Sequence, residues 1–267
     1  MNLRAQRDGL QSLFPAISEV LRGAGTIVRR YFGQEIDPSY KGDGTPVTQA
    51  DLEAEAYLRD RLGRIFPNAS VLGEEYGETP GSGPLRWVID PIDGTRSFLM
   101  GTPLFGTLVA LEKDRVPILG AIYLPIQDQL MIGSAETGTF VNGHPVHVSR
   151  VAELESARLV VTDPADLLEE TTGGAMAELG RSMGLVRGFG DCYGYFLVAR
   201  GSADVMVDLR GVHYYDVAPM LPILQGAGGA FSAIDGSLDF AAGNALATNG
   251  WLHDEARKIL CRGSRRE

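Results

Sequence analysis

The sequence predicts an α/β fold of layered α+β character, with helix and sheet layers alternating. Three observations carry that expectation. An amphipathic helical stretch opens the chain, short apolar stretches separated by turn signals fill residues 70–149, and beyond about residue 150 strands alternate with helices. With 267 residues, 44% apolar and 22% charged, the chain can form one large or two compact units around a sizeable core.

Along the chain, Leu13, Phe14, Ile17, Val20, Leu21, Ala24, Ile27, Val28 and Phe32 recur at steps of three and four. That spacing lines one helix face, and Pro15 suits its first turn. KGDGTPVTQAD (41–51) is a loop ending at Thr48, where Asp51 three residues on comes close to a capping box. This second helix runs to about Phe66, before Pro67-Asn68. SVLGEE, RWVID, FGTLVALEKD, VPILGAIYLP, DQLMIGSAE and TFVNGHPVHVS form an antiparallel meander, with Asn142-Gly143 as a tight hairpin turn. ARLVVTD, ADVMVDL, GAFSAID and NALATN are the later strands, between helices near 164–183, 191–201, 214–226 and 250–260. The expected division is residues 1–150, an α+β region with the antiparallel sheet, and residues 151–267, an α/β region. No repeat, low-complexity tract or long linker parts them, so the halves should share a broad interface.

Composition excludes several classes. A net charge of −10 argues against a nucleic-acid binder, which would normally show a basic face. No stretch approaches the ~18 apolar residues of a membrane span, and the N-terminus lacks a signal-peptide core. Cys192 and Cys261 stand in unrelated contexts, without a disulfide framework or metal knuckle, which points to a reducing cytoplasm.

The chemistry concentrates in RWVIDPIDGTRSF (86–98). Asp90 ends a short apolar strand, Pro91 prevents a simple continuation of the ladder, and Asp93-Gly94 turns the chain. Thr95 to Leu99 then start a short helix, leaving the Gly94 and Thr95 amides as an anion site. Carboxylates beside an anion site repel phosphate unless a cation lies between them. A hard divalent ion such as Mg²⁺, which shares oxygen ligands with phosphate, resolves the conflict. Glu74-Glu75 after one apolar stretch and Asp216 at a helix start add acidic groups, although any one of them alone also fits ordinary capping.

GEE, WVIDPIDGTRSF and YYDVAPMLPILQGAGG, in that order, resemble the signatures of the inositol monophosphatase-like phosphatases. KGDGTPVTQAD and FVNGHPVHVS extend the resemblance over most of the chain. It implies an αβαβα sandwich of the inositol monophosphatase/fructose-1,6-bisphosphatase type and a homodimer. It implies two or three Mg²⁺ ions, replaceable by Mn²⁺. Glu74, Asp90 and the Ile92 carbonyl would hold one, and Asp90, Asp93 and Asp216 another. Thr95 with Glu74 would position the attacking water, supported by Asp51, which equally fits the third position of a helix cap. Lys41 would lie near the site or be an exposed loop lysine.

Rival readings fit less well. Haloacid-dehalogenase-type phosphatases carry DxDGT, whereas Asp90 and Asp93 are three apart. GAGG at 226–229 follows a helix and meets Phe231, so it fails the dinucleotide fingerprint. A non-catalytic relative would be expected to lack one of Asp51, Glu74, Asp90, Asp93 and Asp216, and all are present. His144 and His147, three apart in a strand, face opposite sides and make no metal pair. Cys192 reads as a small packed residue; His213 and the tyrosines at 193, 195, 214 and 215 read as loop or core, with pocket lining the alternative.

The substrate is expected to be a small phosphate monoester. Arg96-Ser97, Asp191-Cys192-Tyr193 and YYDVAP depart from the inositol phosphatases and resemble the histidinol-phosphate phosphatase branch. Asp191 reads as a substrate contact or a helix N-cap. With Asp208 it would form an acidic wall suited to a cationic amino alcohol, and Arg96 would add to the pocket. Histidinol phosphate is therefore expected, with inositol or another sugar-alcohol phosphate as the alternative.

Overall fold

Two helices open the chain, α1 (Leu3–Gln11) and α2 (Phe14–Tyr31), where the periodicity predicted one beginning near Pro15. The computed structural model describes residues 3–35, 37–42, 44, 46–168 and 173–263. Asp43 and Thr45 of the expected loop, and residues 169–172 of the expected 164–183 helix, lie outside the described residues. α1 escaped the sequence reading because LRAQRDGLQ is mostly polar, and Leu10 is its buried contact among the described residues. α2 buries Ile17, Val20, Leu21, Ala24 and Val28, the predicted face.

β1 (Ser39–Tyr40), just before the expected 41–51 loop, pairs with β2 (Pro46–Val47) inside it as a two-stranded ribbon. α3 (Gln49–Ile65) starts at the predicted capping box, with Thr48 as N-cap and Asp51 accepting the Thr48 N–H.

β3 (Ser70–Gly73), β4 (Gly77–Thr79) and β5 (Leu85–Asp93) precede the one-turn helix α4 (Thr95–Leu99). β6 (Gly106–Lys113), β7 (Val116–Leu124), β8 (Gln129–Ser134), β9 (Gly138–Val141) and β10 (His144–Val146) continue as the predicted meander. The eight strands order as β10-β9-β8-β7-β6-β5-β3-β4. β3 runs parallel to β5, and the other neighbours are antiparallel. Asn142 (φ 48°) and Gly143 (φ 81°) both take the left-handed conformation of a two-residue hairpin turn. His147 lies past the end of β10, so the expected strand pairing of two histidines on opposite faces does not arise.

The second sheet is built from β11 (Arg158–Val161), α5 (Gly173–Ser182), β12 (Leu185–Arg187), α6 (Asp191–Ala199) and β13 (Val205–Asp208). α7 (Tyr214–Val217), α8 (Met220–Ala227), β14 (Ala230–Ser232), β15 (Ala245–Thr248) and α9 (His253–Gly263) complete the chain. Its order is β12-β11-β13-β15-β14. The predicted 214–226 helix is two helices, divided at Pro219, which has no N–H to continue a ladder. β4 and β12, three residues each, are too short to show an alternation.

Alternating side chains sort these elements into five layers, helix–sheet–helix–sheet–helix. Val109 and Leu111 of β6 pack toward Ile17, Leu21, Leu58 and Leu62 of α2 and α3. Leu108 faces the other way, into a core with Phe196 and Val198 of α6, Ile223 and Leu224 of α8, and Met206 and Ala247 of the second sheet. Val205, Val207 and Leu246 face Met176, Leu179, Ala256 and Ile259 on α5 and α9. A sheet covered on both faces needs nearly continuous apolar strands, and seven of the eight β6 residues are buried. Each fully buried aliphatic side chain contributes roughly 1.5–3 kcal/mol, so the shared central layer locks the two sheets together.

Candidate active site

β5 does not stop at Asp90, as its proline suggested. It runs through Pro91 to Asp93, and its register against β6 shifts between Asp90 (opposite Leu108) and Asp93 (opposite Gly106). In a regular strand residues three apart face opposite sides; the added residue of a bulge brings them to one side. Thr107 Oγ1 donates to the Pro91 carbonyl at 2.9 Å, and the Ile92 N–H donates to Asp90 Oδ1 at 3.0 Å. Asp216 arrives on α7, where its Oδ2 accepts the His213 N–H at 2.7 Å. Carboxylate oxygens of Asp90, Asp93 and Asp216 all lie within 4.8 Å of one another.

This grouping is electrostatically incomplete. Burial, then the charges of Glu74, Asp93 and Asp216, push the Asp90 carboxyl well above its ordinary range. Burial and the neighbouring Asp216 push Asp93 up to about 8. Burial likewise raises Asp216 to about 8, with Glu74 adding to the effect against the His213 hydrogen bond. A set of hard oxygen donors whose charges repel one another fits a divalent cation such as Mg²⁺, Mn²⁺ or Ca²⁺.

Beside it, Glu74 leaves β3 with its N–H on the Ile89 carbonyl of β5 at 3.3 Å. Lys41 is no free loop lysine: its Nζ reaches Glu74 Oε1 at 2.7 Å and Glu75 Oε1 at 2.9 Å. Burial opposes its charge, but the two carboxylates outweigh burial and hold it protonated. Burial raises Glu75 to about 7, countered by Lys41. Asp51 fits both sequence readings. Its Oδ2 accepts from the Thr48 N–H at 2.8 Å and hydroxyl at 2.6 Å, while its buried Oδ1 has no hydrogen-bond partner among the described residues. Burial lifts this carboxyl to about 6, and the charge of Glu74 adds to the rise.

The turn after β5 needs glycine. Gly94 has φ 87° and caps α4, and a Cβ there would stand 3.1 Å from the Leu104 carbonyl and 3.2 Å from Asp191 Oδ2. Thr95 Oγ1 donates to the Ile92 carbonyl at 3.0 Å, and Arg96 is exposed on α4.

Asp191 is not an N-cap. Gly190 holds that position without a side-chain bond, and Asp191 is the first residue of α6 in the left-handed region, φ 51°. Its N–H donates to Thr162 Oγ1 at 2.9 Å. The carboxylate borders a 60 Å³ cavity with Asp93, Thr162, Tyr195, Asp208 and Asp216. Burial, then Asp93 and Asp208, raise it to about 8 against the nearby Arg96. Asp208 lines the same cavity, but the hydroxyls of Thr162 and Tyr195 each take one of its oxygens.

Sequence reasoning missed several supporting groups. Glu55 is fully buried and accepts the N–H groups of Glu75 (2.7 Å) and Tyr76 (3.1 Å), gripping the loop that carries Glu74. Its spacing of four from Asp51, on one helix face, was the available signal. Thr162 at the end of β11 and the Cys192 amide, which donates to Asp93 Oδ2, left no local signal. His213 stacks on Tyr215 at 5.3 Å, at the rim. Among the described residues, no helix is long and apolar enough to cross a membrane.

Histidinol-phosphatase of Chlorobaculum parvum is 40% identical to this chain over 239 residues, 86% of this chain and 92% of that protein. Histidinol-phosphatase of Streptomyces coelicolor is 35% identical over 235 residues, 85% and 88% of the two chains. The solved inositol monophosphatase of Anabaena (Nostoc) superposes with a TM-score of 0.82 at 31% identity, covering 95% of this chain and 97% of that one. The inositol monophosphatase family profile matches residues 10–264. On that match and on its layered fold, the chain belongs to the inositol monophosphatase family.

Proposed function

We propose that this chain is an Mg²⁺-dependent histidinol-phosphate phosphatase. Membership of the family makes it a phosphoric monoester hydrolase. The observation that carries the substrate is Asp191, whose carboxylate faces the cavity beside Asp93 instead of capping its helix. An acid there suits the ammonium group and protonatable imidazole of histidinol phosphate. The two histidinol-phosphatases at 40% and 35% identity support the same choice.

In this reading Asp90, Asp93 and Asp216 hold one cation, and Glu74, Asp90 and the Ile92 carbonyl another. Bound cations supply activated water and neutralise charge on the phosphoryl and leaving oxygens. The residues do the rest. Thr95 directs its hydroxyl proton to the Ile92 carbonyl, so its lone pairs are left to accept from the attacking water. Glu74, held by Lys41 on its Oε1, would accept a hydrogen bond from the same water and help position it. Asp51, with its buried Oδ1 unpartnered among the described residues and its charge felt by Glu74, would support this shell. The Gly94 and Thr95 amides receive phosphoryl oxygens, and Arg96 stands at the edge of the pocket. Asp191 takes the amino alcohol, while Asp208 contributes negative field through oxygens already held by hydroxyls. A homodimer in the cytoplasm, with two unpaired thiols, belongs to the same reading.

Phosphate release with Mg²⁺ tests it. Histidinol phosphate should be hydrolysed with a kcat/KM at least ~10-fold above that of inositol 1-phosphate, one charge-assisted contact. The reverse order assigns the enzyme to inositol or sugar-alcohol phosphates.

A further inference from the structure

Away from the carboxylate cluster, the same sheet buries an ion pair that a tyrosine of α7 joins. Glu112 on β6 is fully buried, and its cross-strand partner Arg86 on β5 is 8% exposed. Arg86 Nε donates to Glu112 Oε2 at 2.5 Å, and its guanidinium lies 5.5 Å from the centre of the Tyr214 ring. The Tyr214 hydroxyl donates to Glu112 Oε1, across 102 positions of sequence. A buried ion pair is weak evidence of a stability role, because apolar residues of similar volume often pack equally well. What distinguishes this one is where it leads: Tyr214 opens α7, and Asp216 is two residues on.

α7 has four residues, too few to hold its own shape or direction. Its far end is seated by Ala218, packed with Val88 and Ala110. At its near end Tyr214 and Tyr215 pack against the same cluster, and the Tyr214–Glu112 bond fixes where the Tyr214 ring sits. Between these anchors Asp216 is pressed toward two other carboxylates, with ligand oxygens mutually within 4.8 Å. Four helical residues cannot fix the direction of Asp216 by themselves, so contacts from outside α7 must hold it beside the other two carboxyls before a cation arrives.

We propose that Arg86, Glu112 and Tyr214 form a positioning network that holds Asp216 facing Asp90 and Asp93 in readiness for a divalent cation. The proposal rests on reading that cluster as a metal site. Partners that orient metal ligands typically change metal affinity by about 10–100-fold when removed. The network acts through the ligand's backbone, so its effect falls on binding of the ion more than on turnover once the ion is bound.

Tyr214→Phe removes one hydroxyl and leaves the ring beneath Arg86. Calorimetric titration with Mg²⁺ should show affinity weakened by about 10–100-fold, with a smaller metal-induced rise in Tm. Activity should need correspondingly more Mg²⁺ yet approach the wild-type kcat at saturation. Thr139→Val removes a buried bond from Thr139 Oγ1 to the Ile223 carbonyl (2.6 Å) elsewhere in the core, and serves as the control for plain destabilisation. It should lower Tm without changing Mg²⁺ affinity. Equal Mg²⁺ affinity in wild type and Tyr214→Phe overturns the proposal, as does an equal loss of affinity in Thr139→Val. A wild type that binds neither Mg²⁺ nor Mn²⁺ removes the metal reading, and this proposal with it.

Discussion

The backbone N–H of Cys192 donates to Asp93 Oδ2, joining the start of α6 to the end of β5 across 99 positions of sequence. This bond sets the residue before it, Asp191, beside the carboxylate cluster. The contact thus links the proposed site of phosphate chemistry to the group proposed to choose the alcohol.

Asp191→Asn should separate the two roles. Asparagine tolerates the left-handed backbone at φ 51°, so geometry is preserved while charge is lost. Losing a charge-assisted partner costs about 1.5–3 kcal/mol, or roughly 10–150-fold in kcat/KM. That fall is expected with histidinol phosphate, and a much smaller one with an uncharged aryl phosphate. Equal falls on both would make Asp191 a structural residue.

Asp90→Asn should reduce phosphatase activity by ~10³-fold or more, the scale of losing a preorganised electrostatic element. Because Asp90 is buried among like charges, its neutral analogue should leave the metal-free protein at least as stable as wild type. The stabilisation gained on adding Mg²⁺ should disappear. Wild-type activity should vanish with chelator and return with Mg²⁺; a mutant that turns over normally in chelator would sink the account.

Stability should depend on pH in a metal-sensitive way. Asp93 and Asp216 rise from an ordinary 3.8 to about 8 in the folded protein, through burial first and then carboxylate neighbours. Raised carboxyls bind more protons folded than unfolded, so their contribution is complete below the unfolded value and is lost as pH climbs toward about 8. With chelator, Tm should therefore fall between about pH 4 and 8. Mg²⁺ competes with those protons, so its stabilising shift should grow over the same window. Differential scanning fluorimetry at several pH values checks this, and a metal shift independent of pH would contradict it.

Asp51 is shared between a helix cap and the site, and two substitutions tell them apart. Thr48→Ala removes the cap hydroxyl and should cost about 1 kcal/mol, lowering Tm by ~2 °C with activity largely kept. Asp51→Asn retains an oxygen for the cap but loses the charge of the unpartnered Oδ1. It should lose far more activity than stability. Activity losses that track Tm in both variants would confine Asp51 to the cap.

Much of the molecule was legible because its signals are local. The α2 face is a matter of helical period, the Thr48–Asp51 box of three-residue spacing, and the Asn142-Gly143 turn of left-handed backbone. Strand ends and helix starts expose unpaired backbone groups, so Asp93 and Asp216 could be placed near such ends from residue order alone, whereas Asp90, read as a strand end, lies inside β5. Where the reading went astray, a tertiary contact outweighed a local rule. Pro91 continues its strand because a bulge and the Thr107 hydroxyl accommodate it.

What the sequence by itself determined is which residue types stand at which element ends, since period, capping and turn chemistry act within a few residues. The tertiary structure alone decided that Asp90 and Asp93 share a side, that the Glu55 carboxylate grips the Glu74 loop, and that Tyr214 reaches Glu112. The last two contacts join residues 20 and 102 positions apart, and such pairs meet only after the layers have packed and the buried polar groups have found partners.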